Sequence, residues 1–282
     1  IITGLVGSEM CIRDRTDTPT YEVYAIRYAE QLERADGATY LGGDPTKMIR
    51  GLDFFTYVIT GNGQTFVVDT GFNPDLSGEG GRNFLESPAE SLSKIGIKAS
   101  SVEHVLLTHA HFDHVGNLDD YPNATFSIHA EEMKSITGPD MTFAPFRLAY
   151  HARDTKKLIE LLYDERLKFY EDTVTTVAPG IEFHLIGGHS RGQLALRVHT
   201  SRGWILLASD AVHLYDEVEF ERPFAIFHDL QKMIDGYRKC INIAGGYEFL
   251  ISGHDPKVTD WYPPLAPEFE KRILDLGQSP KK

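Results

Sequence analysis

Alternation between apolar and polar side chains predicts a protein built from both strands and helices. Short runs rich in β-branched and aromatic residues indicate strands, since these side chains pack well on a pleated, half-buried surface. Two such runs flank Gly61-Asn62-Gly63, and a short glycine-containing connection is typical of a β-hairpin. The predicted strands are residues 21–28, 54–60, 64–69, 104–108, 125–129, 174–177, 182–186, 194–199, 204–208 and 249–252.

Helices are predicted where apolar residues recur at spacings of three and four. Leu158, Leu161 and Leu162 show this spacing within residues 155–170. The predicted helices are residues 87–96, 130–136, 155–170, 230–244 and 267–276. Strands and helices follow one another along the chain in an order that predicts an α/β fold.

The length and composition favour one globular domain. The chain has 282 residues, of which 41% are hydrophobic, so it can bury a large core without disulfides. We expect residues 16–282 to form a single domain, with a helical insertion at about 134–170. Residues 1–15 resemble translated sequencing-adapter sequence, so we expect them to be a non-native, disordered leader.

The charge excludes some classes of partner. Acidic residues exceed basic ones by 41 to 28, giving a net charge of −13, which argues against binding to nucleic acid or to an anionic membrane surface. No apolar run approaches the ~20 residues that span a bilayer. Two cysteines are too few for a disulfide framework and favour a reducing compartment, hence a cytoplasmic location. The oligomeric state stays open, with a homodimer as one candidate.

A cluster of metal-binding residue types follows the predicted strand at 104–108. His109, His111, Asp113 and His114 lie within six residues. Imidazole and carboxylate groups are ligands that suit Zn²⁺ and similar ions. In an extended segment alternate residues share a face, so the first two histidines can point to one ion and a following turn can direct the other two residues to a second ion. The ordinary alternative is a group of surface histidines.

The run T-H-A-H-F-D-H-V-G-N that begins at Thr108 resembles the H-x-H-x-D-H signature of the metallo-β-lactamase superfamily. Further motifs of that family occur in the same order along the chain. They are Val68-Asp69-Thr70-Gly71, Gly188-His189-Ser190, Leu207-Ala208-Ser209-Asp210 and Ser252-Gly253-His254-Asp255. The resemblance implies an α/β fold of the four-layer αβ/βα sandwich type.

The resemblance also implies a site for two divalent metal ions, with zinc preferred and manganese, iron or cobalt as alternatives. The implied ligands are His109, His111 and His189 for one ion, Asp113, His114 and His254 for the other, and Asp210 as the bridge. Seven ligands exceed what one tetrahedral ion takes, which agrees with two ions. Asp69 is expected to orient a ligand histidine, although the residues alone are equally consistent with a turn residue.

Within the superfamily, the chain is most similar to the N-acyl homoserine lactonases, by its length and its complete ligand set. Asp210 disfavours the zinc β-lactamases, which generally lack that carboxylate, and His111 disfavours the diiron flavoproteins, which have a glutamate there. Lactonases often carry a tyrosine three residues after the bridging aspartate, where it contacts the substrate carbonyl. Here His213 occupies that position and Tyr215 follows, so both are candidate catalytic residues, with simple packing as the alternative.

The insertion supplies the candidate substrate pocket, because apolar side chains near a metal site can hold an acyl chain. The candidates are Phe143, Phe146, Tyr150 and His151, which could equally pack as a cap on the core.

The predicted function is a dinuclear-metal hydrolase that opens a lactone resembling an N-acyl homoserine lactone, by attack of a metal-bridging hydroxide. Such an enzyme would be quorum-quenching. Asp113 would convey a proton to the leaving alkoxide, a role carried over from the family. The alternatives are a glyoxalase II-like thioester hydrolase, another carboxylic ester hydrolase of this fold, or a non-enzymatic relative that only binds metal.

Overall fold

The computed structural model describes residues 18–281, so the predicted leader at residues 1–15 lies outside the described part of the chain. Two β-sheets and the helices around them make up this part. Its helices are all too short or too polar to span a lipid bilayer.

The larger sheet contains the first seven strands and the last one. Its order is β13-β1-β2-β3-β5-β6-β7, with β4 paired to β1. The central strand β2 is buried along most of its length because it is covered on both faces. The strands are β1 (Glu22–Ala35), β2 (Met48–Gly61), β3 (Gln64–Val68), β4 (Asn83–Phe84), β5 (His104–Leu106), β6 (Thr125–His129), β7 (Leu167–Tyr170) and β13 (Ile273–Asp275).

The smaller sheet is formed by the remaining strands in the order β12-β11-β10-β9-β8. Its strands are β8 (Val174–Ala178), β9 (Ile181–Leu185), β10 (Leu194–Thr200), β11 (Gly203–Leu207) and β12 (Leu250–Ile251). Buried side chains of both sheets belong to one continuous apolar core. Burial of this core is the main stabilising contribution to the fold.

Helices pack against both sheets and complete the four layers. α2, α4 and α6 contact strands of the larger sheet, and α8 contacts β10, β11 and β12 of the smaller one. The α-helices are α1 (Asp36–Thr39), α2 (Pro88–Lys94), α3 (Phe112–Val115), α4 (Ala130–Ile136), α5 (Ala144–Arg147), α6 (Ala152–Tyr163), α7 (Tyr215–Glu219), α8 (Leu230–Ala244) and α9 (Pro256–Trp261). The αβ/βα sandwich that the sequence predicted is therefore the observed fold.

Two predicted helices are wrong in whole or in part. Residues 273–275 form an edge strand instead of the end of a helix, because β1 offers them an unpaired edge to hydrogen-bond with. The helix predicted over 155–170 ends at Tyr163, and Glu165 adopts a left-handed conformation with φ of 59°. The chain then turns into β7, which pairs in parallel with β6.

Candidate metal centre

Strand directions bring the loops with the predicted ligands to one edge of each sheet. β3 and β5 run parallel, so Asp69 and the loop that begins with His109 leave the larger sheet at the same edge. In the smaller sheet β9 and β11 are both antiparallel to β10, and β12 is parallel to β11. The loops that carry His189, Asp210 and His254 therefore leave that sheet on one side. The carboxyl ends of strands are where α/β sheets bind ligands.

Asp210 lies at the centre of the site, and its two carboxylate oxygens face different histidines. Oδ2 lies 3.7 Å from Nε2 of His109 and 3.2 Å from Nε2 of His189. Oδ1 lies 3.1 Å from Nε2 of His114 and 3.1 Å from Nε2 of His254. This carboxylate thus directs one oxygen to each of two groups of imidazoles, which is the arrangement that a bridging ligand requires.

All seven predicted ligands are buried and converge in two groups. Nε2 of His189 lies 2.8 Å from Nδ1 of His111 in the first group. In the second group, the Asp113 carboxylate lies 3.8 Å from Nε2 of His114 and 3.7 Å from Nε2 of His254. Within each group the ligand atoms all lie within 4.8 Å of one another. The groups are His109, His111, His189 and Asp210, and Asp113, His114 and His254.

The pKa values of two histidines in the first group fit binding of a divalent cation, whereas at His114 burial is outweighed by the neighbouring carboxylates, which raise its pKa. Burial, together with the neighbouring imidazoles, lowers the pKa of His109 and of His111 well below the usual value, and neutral imidazole is the form that ligates metals. Burial raises the pKa of Asp210, but the surrounding histidines outweigh it and hold that pKa well below the usual range. Nε2 of His109 is buried without a hydrogen-bond partner among the described residues, as expected for an atom aimed at a cation.

Hydrogen bonds on the far side of the rings fix their orientation. Nδ1 of His114 lies 2.7 Å from Oδ2 of Asp69, and that carboxylate also accepts hydrogen bonds from the backbone N–H and the hydroxyl of Thr108, both at 2.8 Å. Such outer contacts set the tautomer and raise the basicity of a ligand. Backbone carbonyls orient two further rings. The Ile226 carbonyl lies 2.9 Å from Nδ1 of His189, and the Asp53 carbonyl lies 2.9 Å from Nδ1 of His254.

Glu132 joins three parts of the site and was missed by the sequence analysis. Its Oε1 accepts hydrogen bonds from the backbone N–H of Ala110 and the Tyr150 hydroxyl, both at 3.0 Å. Its Oε2 accepts from the Ser190 hydroxyl at 2.7 Å and from the backbone N–H of Gly192 at 2.9 Å. An acid in the first turn of a helix is common on helix surfaces, so its residue type gave no signal.

The structure separates the two catalytic candidates that follow Asp210. Nε2 of His213 lies 3.1 Å from Oδ2 of Asp210, and its ring stacks on Phe224 with a centroid distance of 3.7 Å. Tyr215 is buried in the core, where its hydroxyl donates a hydrogen bond to the Leu250 carbonyl at 3.0 Å. As the first residue of α7, Tyr215 points away from the ligands, so its proposed catalytic role is withdrawn.

A cleft of about 280 Å³ opens onto the two groups of ligands. Its walls combine apolar, aromatic and charged side chains. Besides the ligands and His213, the lining includes Arg34, Leu52, Phe54, Glu79, Arg82, Phe112, Leu148, Ala149, His151, Phe224 and Ile226.

Of the predicted pocket residues, only His151 lines this cleft, stacked on Phe112 at 5.2 Å. Phe143 is 59% exposed and lies outside it. Phe146 stacks on His228 at 4.9 Å, and the Tyr150 ring packs edge-on against the predicted ligand His111 at 4.4 Å. The insertion therefore supports the site through Tyr150 and approaches the cleft through residues 148–151.

Comparison with known proteins agrees with this geometry. The model of the metallo-β-lactamase superfamily matches residues 54–254. A probable metallo-hydrolase of Mycobacterium tuberculosis is 24% identical over 190 residues, which cover 61% of this chain and 60% of that protein. An N-acyl homoserine lactonase of Bacillus cereus is 29% identical over 137 residues, covering 48% and 49%. The chain thus spans about half to three-fifths of the length of these curated relatives.

Among solved structures, a quorum-quenching N-acyl homoserine lactone lactonase superimposes with a TM-score of 0.70 at 20% identity, over 84% of this chain and 93% of that one. The residues that match the superfamily model, 54–254, include the whole smaller sheet and every loop that carries a predicted ligand, whereas β1 and β13 of the larger sheet lie outside them. The motif order, the sandwich and the family match agree, and the chain belongs to the metallo-β-lactamase superfamily.

Proposed function

We propose that this chain is a dinuclear-metal hydrolase that opens lactones of the N-acyl homoserine lactone class. The observation that carries the proposal is the carboxylate of Asp210, which directs one oxygen to the histidines of each group. A complete set of buried ligands also argues against a relative that has lost activity. The lactonases among its relatives and structural neighbours support the choice of a cyclic ester as substrate.

The ligand groups would hold two divalent cations, with zinc favoured by the imidazole and carboxylate donors. Cations bound there would polarise a carbonyl and lower the pKa of a bound water toward neutrality. The chain's own contribution is to fix the ligands, exclude bulk water from the buried site and bring the substrate into the cleft.

Two cleft residues are proposed to act on the substrate itself. Asp113 lines the cleft with a carboxylate that can hold a proton and transfer it to the leaving alkoxide. His213 also lines the cleft, with Nε2 close to the Asp210 carboxylate and its ring stacked on Phe224, and it is the second residue proposed to hydrogen-bond the substrate carbonyl. Replacement of the more usual tyrosine by an imidazole keeps a donor at this position.

Metal analysis combined with a substrate panel tests the proposal. Purified protein is expected to contain about two equivalents of divalent metal and to hydrolyse lactones faster than acyclic esters, thioesters or phosphodiesters. His111→Ala should lose metal and lower lactone hydrolysis at least about a hundredfold, because it removes a direct ligand. His104→Ala is the matched control, since His104 packs on Phe66 away from the cleft.

Three outcomes would contradict the proposal. Unchanged metal content and rate in His111→Ala would remove the ligand assignment. Hydrolysis of thioesters alone would favour a glyoxalase II-like enzyme. No hydrolysis of any substrate in the panel, with metal bound, would favour a non-enzymatic metal-binding protein.

A further inference from the structure

Two arginines lie in the wall of the cleft, and the proposed hydrolysis does not use either of them. Arg34 is near the end of β1, and Arg82 lies between residues 79–81 and β4. The chain carries a net charge of −13, so positive side chains gathered in a cleft of this acidic protein call for an explanation.

Arg34 makes no ion pair with an acidic side chain among residues 18–281. Its Nη1 donates to the side-chain oxygen of Gln31 at 3.3 Å, and its Nη2 donates to the carbonyl of Ala38 at 2.9 Å. Both acceptors are neutral, and each Nη carries a second N–H that these bonds leave free. Burial and the positive charge of Arg82 lower the pKa of Arg34, whereas the negative charge of Asp113 raises it.

Arg82 is held by aromatic rings and only weakly by charge. Its guanidinium lies 4.8 Å from the ring centre of Phe112 and 5.8 Å from that of Phe72. Within the described chain its one ion pair joins Nη2 to Oε2 of Glu79 at 3.5 Å, and the Glu79 side chain is 62% exposed. Packing of the guanidinium on rings orients it while its N–H edge stays available to an acceptor, and an ion pair with a largely exposed carboxylate contributes little free energy.

A hydrogen bond connects the two segments that carry the arginines. Nε2 of Gln31 donates to the carbonyl of Gly80 at 2.5 Å, and the same side chain accepts from Arg34. Gln31 is 8% exposed. The two segments are therefore held together before any ligand binds, which lowers the entropic cost of binding one.

We propose that Arg34 and Arg82 form a carboxylate-binding subsite, so that the preferred substrates carry a carboxylate remote from the bond that is cleaved. The inference rests on the proposed function for the nature of that bond, a cyclic ester, and departs from it in the side chain, because an N-acyl homoserine lactone carries no free carboxylate. Guanidinium groups bind carboxylates through paired, charge-assisted hydrogen bonds, which a neutral acyl chain cannot form. The ligand class is then a lactone or ester with a free acid group, small enough for a cleft of about 280 Å³.

Binding of simple acids by calorimetry tests the subsite without any catalytic turnover. The zinc-loaded full chain is titrated with dicarboxylates of four to seven carbons and with the monocarboxylate of equal length, for example glutarate against pentanoate. One carboxylate of each acid can occupy the metal centre, and only the dicarboxylates have a second one for the arginines. We expect the best-fitting dicarboxylate to bind at least about tenfold more tightly than its partner, with a preference that shrinks as salt is added.

Single substitutions assign the preference to the two residues. Arg34→Gln and Arg82→Gln should each reduce the dicarboxylate preference about tenfold or abolish it. Arg238→Gln is the matched control, because Arg238 is 77% exposed and pairs with an exposed acid away from the cleft. Equal affinity for both acids at every length in the unmodified chain would overturn the inference, as would a preference that survives in both cleft variants.

A kinetic comparison extends the test to the reacting site. The chain should hydrolyse mono-4-nitrophenyl glutarate with a higher kcat/KM than 4-nitrophenyl pentanoate. In each cleft variant the two kcat/KM values should become similar. The two proposals fail in different ways. Dicarboxylate binding without hydrolysis of any ester would overturn the proposed function alone, whereas hydrolysis without the acid preference would overturn the subsite alone.

Discussion

At the scale of single residues, the buried side chain of Glu132 positions the loops that carry the candidate ligands. Each of its carboxylate oxygens accepts one backbone N–H and one hydroxyl. The backbone donors are Ala110, between two ligand histidines, and Gly192, in the loop of His189. Four donors converge on this group, so only a group that accepts at both ends satisfies them.

We expect Glu132→Gln to destabilise the protein and loosen the metal centre. The amide nitrogen is a donor, so whichever way the side chain is turned it faces a backbone N–H that cannot accept, in a buried place. The free energy of unfolding should fall by about 1–3 kcal/mol and zinc affinity by about 10- to 100-fold, as measured by urea denaturation and by competition with a chelating dye.

Glu131→Gln is the control for this change. Glu131 precedes Glu132 in α4 but is exposed, and its partner is Lys134 at 2.7 Å on the helix surface. Glu131→Gln should change the free energy of unfolding by no more than about 0.5 kcal/mol. Equal effects of the two substitutions would mean that Glu132 does not position the ligand loops.

At the scale of elements, the loop that carries His189 packs directly on the start of α8. The carbonyl of Gly188 accepts hydrogen bonds from the backbone N–H groups of His228 at 2.8 Å and Asp229 at 2.9 Å. Gly188 has φ of 91°, and a Cβ there would lie 2.4 Å from the backbone nitrogen of Met233. The close approach of two backbones thus requires glycine at this position.

Gly188→Ala is expected to lower stability by several kcal/mol, because the methyl group would meet helix backbone that cannot move aside. Gly187→Ala is a matched control in the same loop. Gly187 also has a positive φ, of 71°, but a Cβ there meets nothing closer than 3.7 Å. Gly187→Ala should lower the free energy of unfolding only by the backbone strain of a positive φ, about 1–2 kcal/mol. Denaturation curves for the two variants measure the difference, and equal losses would contradict the packing argument.

At the scale of the whole molecule, the proposed metal centre joins the two sheets. The ligand groups combine residues that follow β5 of the larger sheet with residues that follow β9, β11 and β12 of the smaller one. Cations bound between them would favour the state in which both sheets are assembled, since the unfolded chain cannot bring these side chains together.

Chelation should therefore lower the melting temperature as well as remove activity. Zinc at about a hundred times its dissociation constant adds about 2.7 kcal/mol to the free energy of unfolding, which corresponds to several degrees in a protein of this size. Differential scanning calorimetry with and without added zinc measures the shift. The His111→Ala variant should show a smaller shift, and a melting temperature indifferent to zinc in the unmodified protein would argue against the proposed centre.

Local patterns in the sequence were sufficient to predict most elements and to propose the candidate ligands. The hairpin around residues 61–63, the strand before His109 and the helix over 230–244 depend on side-chain periodicity and turn residues that act over short range. Imidazole and carboxylate are chemically distinctive, so the candidate ligands were recognisable by type and motif order. The helix predicted at 267–276 failed because the free edge of β1, distant in sequence, decided its conformation.

What the sequence alone determined was the α/β class of the fold and, through its resemblance to a known family, a set of seven candidate ligands. Only the tertiary structure decided which oxygen of Asp210 faces which histidines, that His213 and not Tyr215 borders the cleft, and that Arg34 and Arg82 stand in its wall. The physical reason is range. Periodicity and residue chemistry are properties of neighbours along the chain, whereas the direction of a side chain and its partners depend on contacts between segments that meet only when both sheets have folded together.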